Sequence, residues 1–110
     1  PVHFTAFHPD FRLLDRAPTP PATLNMAYGI AKRVGLHYVY TGNVYDPEHQ
    51  STYCPQCGQM VIGRDGYEIT HWGLQEGCCR GCGVRIAGRF ASTPGSWGGR
   101  RQPVQIPANR

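Results

Sequence analysis

Cys54-Pro55-Gln56-Cys57-Gly58 and Cys79-Arg80-Gly81-Cys82-Gly83 are one five-residue device written twice. A Cys-x-x-Cys turn brings two sulfurs within reach of one ion, and the glycine after the second cysteine relieves the backbone where it folds over the metal. Two such knuckles with 21 residues between them supply four thiolates, enough to close a tetrahedral site. The expected ligands are Cys54, Cys57, Cys79 and Cys82. Zinc is the expected ion, and a single rubredoxin-type iron is the alternative that four thiolates also hold. Paired knuckles are a poor disulfide framework, and five cysteines would leave one unpaired. No helix pattern follows either pair, as a redox Cys-x-x-Cys would require. Cys78 is the leftover thiol. Using it in place of Cys79 would break the symmetry of the two knuckles.

Working outward, the segment between the knuckles alternates in short runs. Met60-Val61-Ile62 and Tyr67-Glu68-Ile69, joined through Arg64-Asp65-Gly66, read as a hairpin with an Asp-Gly turn. Residues 46–90 are thus expected to form a small rubredoxin- or zinc-ribbon-like β module with four cysteine ligands. Residues 91–110, rich in Gly, Pro and Arg, are expected to be a poorly ordered tail.

The first part of the chain has a different texture. Val2-His3-Phe4-Thr5-Ala6-Phe7 is β-branched and aromatic and runs into His8-Pro9-Asp10, so it reads as a buried strand ending in a turn. Thr19 is a candidate cap for a helix of about 15 residues, with Pro20 in its first turn. Leu24, Tyr28, Ala31 and Val34 recur on one helical face, Lys32 and Arg33 suit the last turn, and Gly35 supplies a left-handed stop. Leu36-His37-Tyr38-Val39-Tyr40-Thr41 follows as a second strand before Gly42-Asn43. Strand, crossover helix and strand make a βαβ unit over residues 1–45, with parallel strands. Two parallel strands are not a fold by themselves, because such sheets are covered on both faces. The fold class expected is therefore an α/β fragment, a βαβ unit from the end of a larger sheet or partial (β/α) barrel, followed by the zinc ribbon. A chain that opens on Pro1 is expected to be a piece of a longer product.

At 110 residues with 14 Gly and 10 Pro, the chain is turn-rich and short of core, a composition that calls for a staple. The formal charge of +4 falls to about +2 once four thiolates and a divalent ion are counted, so net charge argues weakly for nucleic acid. After Cys79 the charged residues are all arginines: Arg80, Arg85, Arg89, Arg100, Arg101 and Arg110. Such a stretch is more often a solvated terminus than a phosphate-binding arm. No apolar run reaches the roughly 18 residues of a membrane span and no signal-peptide pattern opens the chain. A cytoplasmic protein without a membrane partner is expected.

The segments Pro1-Val2-His3-Phe4-Thr5-Ala6-Phe7-His8-Pro9-Asp10, Thr19-Pro20, Tyr38-Val39-Tyr40-Thr41-Gly42-Asn43-Val44 and Ser51-Thr52-Tyr53-Cys54-Pro55-Gln56-Cys57-Gly58 carry a resemblance. In order and with sensible gaps over about residues 1–90, they resemble the C-terminal region of the AmmeMemoRadiSam-type radical SAM enzymes. Those enzymes are relatives of the pyruvate formate-lyase activating enzymes. The resemblance implies that residues 1–44 are the last βα units of an incomplete barrel. It also implies that a preceding part of the parent holds a Cys-x-x-x-Cys-x-x-Cys loop with a [4Fe–4S] cluster and S-adenosylmethionine. This chain lacks that loop: after Cys78 and Cys82 the third cysteine would fall at position 85, where Arg85 stands. Barrel strand ends face the active site, so the resemblance makes His8 a cofactor-side candidate in the parent. Asp10, Thr41 and Asn43 occupy equivalent strand ends, and Asn43 is the second candidate. His3, His37, His49 and His71 fit no ligand pattern and read as structural or exposed.

Two functions follow. The first is the C-terminal metal-ribbon portion of a radical SAM enzyme, structural or substrate-docking in role and inert alone. Its partners would be the N-terminal barrel half or another copy, and a protein substrate. The second is a stand-alone zinc ribbon that binds nucleic acid or protein through its Arg-rich end, with Tyr67, Trp72 and Trp97 as stacking surfaces. Nucleic acid is the less favoured partner.

Overall fold

A computed structural model of the chain describes residues 1–7 and 17–95. His8 and Asp10, and the tail from residue 96 with Trp97 and three of its arginines, lie outside the described residues. Strand β1 (Val2–Thr5), helix α1 (Pro21–Arg33) and strand β2 (Val39–Gly42) form the expected unit. The strands pair in parallel, with Val2 opposite Val39 and Thr5 opposite Gly42. Val39 and Thr41 are buried on the face that α1 covers with Leu24 and Ala31. His3 and Tyr40 project from the other face and stack with ring centroids 4.9 Å apart.

The ends of α1 differ from the sequence reading at one terminus and match it at the other. Thr19 does not cap the helix: its hydroxyl accepts a hydrogen bond from the Phe7 amide at 2.8 Å, which ties the loop to the end of β1. Pro20 takes the N-cap place without a side-chain bond, and Pro21 opens the helix. Gly35, at φ +96°, ends it as expected. The amides of Gly35 and Leu36 return to the carbonyls of Lys32 and Ala31, both at 3.1 Å, the pairing of a Schellman stop. Val34 is 72 % exposed, because the helix turns its Leu24 and Ala31 face inward. β1 is also shorter and less covered than expected: it ends at Thr5 and alternates between half-buried and exposed residues, since His3 and Thr5 lie on the side away from α1.

The second half adds elements that the sequence reading missed. A single turn, α2 (Pro47–Gln50), begins at Asp46, whose side chain accepts from the His49 amide. Strand β3 (Thr52–Tyr53) leads into knuckle one. Strands β4 (Met60–Asp65) and β5 (Glu68–Trp72) complete an antiparallel sheet of order β3-β4-β5. The hairpin is present, but Asp65 pairs with Glu68 and the loop is Gly66-Tyr67. Gly66, at φ +62°, supplies the left-handed backbone that primed turns need at their first loop position. Strands β6 (Leu74–Gln75) and β7 (Cys78–Cys79) pair antiparallel and carry the chain into knuckle two.

The two halves touch through named side chains. Val61, Ile62, Leu74 and Ile86 form a small core with Cys54 and Cys79, and Tyr38 packs on it from the βαβ unit. The Tyr40 hydroxyl lies 2.9 Å from that of Thr52. His49, whose Nδ1 lies 2.8 Å from the Asp46 carboxylate, stacks on Tyr28 with ring centroids 4.0 Å apart and thereby fastens α2 to α1.

Candidate metal centre

Each knuckle is built by the same backbone bonds. In knuckle one the Cys54 amide donates to the Gln59 carbonyl at 2.8 Å and the Gly58 amide returns to the Cys54 carbonyl at 2.9 Å. In knuckle two the Cys79 amide donates to the Val84 carbonyl and the Gly83 amide to the Cys79 carbonyl, both at 2.8 Å. Gly58 and Gly83 sit at φ +79° and +80°, a backbone that costs any residue with a Cβ about 1–2 kcal/mol. The glycine that follows each pair in sequence is thus the residue the turn demands. The leading sulfurs accept amide bonds: Cys54 from Gln56 and Cys57 at 3.4 and 3.5 Å, Cys79 from Gly81 at 3.3 Å.

These turns face each other. The Sγ atoms of Cys54, Cys57, Cys79 and Cys82 all lie within 4.8 Å of one another. Across the knuckles, Cys54 and Cys82 are 3.5 Å apart and Cys57 and Cys79 are 3.7 Å apart. A tetrahedron with metal–sulfur bonds of about 2.3 Å has edges of about 3.8 Å, so the four sulfurs fit a thiolate-bound ion such as zinc. The same donor set suits mononuclear iron. Cys78 is outside the group, as the symmetry of the knuckles required; its backbone pairs with Gln75 and Arg85 instead. Among the described residues, no histidine joins the four.

The metal-free sulfurs hold their protons unequally. Burial pushes the Cys54 thiol up, but amide bonds from Cys57 and Gln56, with thiol bonds from Cys82 and Cys57, outweigh it and bring Cys54 down to about 6. Cys82 accepts an amide bond from Val84 that favours its thiolate, yet burial and the neighbouring sulfurs drive it up to about 12. Cys57 is raised in the same way against the amide bond from Gln59. Cys54 is ready to ionise while Cys57 and Cys82 resist, the pattern of anionic sites crowded together.

Of the other sequence candidates, Asn43 is placed and His8 is not among the described residues. Asn43 follows β2 in a left-handed conformation, φ +59°, and its side-chain amide donates to the Ala6 carbonyl at 2.9 Å. It therefore clips together the ends of the two parallel strands. The Thr41 hydroxyl, buried toward α1, has no hydrogen-bond partner among the described residues. Arg80 donates to the Leu74 carbonyl at 3.3 Å, so one arginine of the basic stretch braces knuckle two. Sequence reasoning passed over Arg64, which reaches back to the Gln50 carbonyl and the Thr52 hydroxyl and lies over the Tyr40 ring.

Taken together, fold and site define a small α/β chain with a four-cysteine metal-binding ribbon. No family model matches it, and no solved structure matches it. The chain is 44 % identical over 88 residues to the uncharacterized protein MJ0808 of Methanocaldococcus jannaschii, a match that takes in 78 % of this chain and 26 % of that protein. The chain thus spans about a quarter of the length of the curated relative it matches. Among the described residues, no helix is long and apolar enough to cross a membrane.

Proposed function

We propose that this chain is the C-terminal, zinc-bearing ribbon portion of an enzyme of the AmmeMemoRadiSam radical SAM type, structural or substrate-docking in role and without turnover of its own. The observation that carries the metal-bearing role is the closed set of four sulfurs, which leaves no open coordination position for a substrate or cofactor. Support for the parent comes from the sequence resemblance and from the match to one segment of a much longer protein. A parallel sheet of only two strands is also what the end of a larger sheet would look like. In this reading residues 1–45 join the preceding barrel strands, and the ribbon stands against the face that carries His3 and Tyr40. Zinc would be held by Cys54, Cys57, Cys79 and Cys82 and would act by fixing the two knuckles.

The test is to determine the coding sequence upstream of Pro1 and to purify the longer product anaerobically. A Cys-x-x-x-Cys-x-x-Cys loop, a [4Fe–4S] spectrum and formation of 5′-deoxyadenosine are expected. An upstream sequence without that loop would remove the radical SAM parentage and leave the metal ribbon standing.

A further inference from the structure

Between the face of the β1–β2 pair that carries His3 and Tyr40 and the β4–β5 hairpin lies a groove of about 1000 Å³, at the top of the roughly 300–1,000 Å³ range of small-molecule sites. Tyr40, Tyr45, Tyr67 and Phe90 are among its walls, with Arg64 and no Asp or Glu side chain. Tyr45 and Tyr67 are 80 % and 60 % exposed, so both offer ring faces rather than filling a core. The Tyr45 hydroxyl donates to Asp65 at 3.4 Å, and Asp65 is not among the groove's lining residues.

Arg64 is fixed here. Its Nη1 donates to the Gln50 carbonyl at 3.1 Å and to the Thr52 hydroxyl at 2.7 Å, and its guanidinium carbon lies 5.5 Å from the Tyr40 ring centre. Nε and Nη2 meet no acceptor among the described residues. A positioned guanidinium with two spare nitrogens, carrying three N–H donors between them, is built for an oxyanion. A cationic ligand would meet that charge with no carboxylate to balance it, and a purely apolar one would bury it unpaired. Flat ring surfaces beside an anion-binding guanidinium suit a molecule with a stackable base and a phosphate.

We propose that this groove binds a nucleotide, its base against Tyr67 and the neighbouring rings and its phosphate on Arg64. The inference uses neither the metal site nor the radical SAM parentage. A free mononucleotide and one unit of a single strand share this chemistry.

The test is an NMR titration of the isotope-labelled, metal-loaded chain with AMP, adenosine, inorganic phosphate and an oligoadenylate of about eight units. AMP is expected to shift the amides of Asn43, Gly66, Tyr67 and Ala87 with Kd below about 1 mM, and adenosine and phosphate to bind at least about tenfold more weakly. Tyr67→Ala, at an exposed position, should weaken AMP about tenfold and leave metal content and melting unchanged. Arg64→Lys keeps the charge and loses the planar fork, and should weaken AMP at least about fivefold. Oligoadenylate binding more than about tenfold tighter at the same amides assigns the groove to a strand, and equal affinity assigns it to the free nucleotide. The inference is overturned if AMP shifts none of these amides at about 10 mM. Unchanged AMP binding by Tyr67→Ala overturns it too, as does adenosine or phosphate alone binding as tightly as AMP.

Discussion

The side-chain oxygen of Gln59, just past knuckle one, lies against Gly81 inside knuckle two, so closely that a Cβ on residue 81 would overlap it. One knuckle thereby reaches over the other, independently of any metal. Gln59 presents the far end of a flexible side chain, and it can swing away. Gly63 is tight for a different reason: a Cβ there would stand 2.7 Å from the Thr70 hydroxyl, 2.8 Å from the His71 Cβ and 3.1 Å from the His71 amide. Those atoms belong to the paired strand β5 and have nowhere to go.

Gly63→Ala is therefore expected to destabilise the metal-loaded chain by about 1–3 kcal/mol, as overpacking does. Gly81→Ala should cost under about 1 kcal/mol, the price of a shifted rotamer. Denaturant melts of the two variants check the ranking, and a larger loss for Gly81→Ala would contradict it.

Cys78 and Cys79 are adjacent in sequence and opposite in role. Cys79→Ser should release the metal, whereas Cys78→Ser should leave metal content and melting unchanged, because only Cys79 belongs to the sulfur group. Metal analysis of both variants decides; the reverse result would mean that knuckle two uses the wider spacing.

Metal binding should release protons. At about pH 7.5 Cys54, at about 6, is already ionised, while Cys82, at about 12, and Cys57, raised above its ordinary value, still hold theirs. Thiolates are the ligands, so titration calorimetry in buffers of different ionisation enthalpy should report at least about two protons per ion. Less than about one would contradict the assignment. The sign for stability follows from the same balance. In the metal-free chain Cys54 lies below its unfolded value, so its contribution is full above that value and is lost as pH falls through about 6. With metal bound, protons compete for all four sulfurs, and acidification removes the ion and the stability together.

The legible and illegible parts of this chain divide by the range of the interactions involved. Cys54, Cys57, Cys79 and Cys82 could be read because each knuckle is a local turn whose glycine is dictated by its own backbone. The βαβ unit could be read from periodicity and from Gly35. The start of α1 could not, because Thr19 is taken by Phe7, a partner 12 residues away. The hairpin loop moved from Asp65-Gly66 to Gly66-Tyr67 because a register shift between Gly63 and Arg64 sets which residues pair. That shift also leaves the Arg64 amide bonded to the Ser51 hydroxyl at 3.0 Å. Arg64 and its groove depend on contacts between both halves of the chain, and no spacing rule announces them.

The isolated chain should form no 5′-deoxyadenosine from S-adenosylmethionine and a strong reductant. Cleavage needs a cluster with one iron open to the cofactor, and a four-thiolate mononuclear site has no open position. Joined to the proposed N-terminal part the activity should appear, and His8→Ala should weaken it. Clear turnover by the 110-residue chain would overturn the proposed division of labour.

The central claim is that one metal ion, held by Cys54, Cys57, Cys79 and Cys82, fixes the ribbon. Structural zinc contributes on the order of 10 kcal/mol in small domains, more than a core this small could replace. Elemental analysis of the purified, folded chain should find one equivalent of metal, zinc above all, and Cys54→Ser or Cys82→Ser should lose it together with the fold of residues 50–90. Less than half an equivalent of any metal in folded protein would contradict the account.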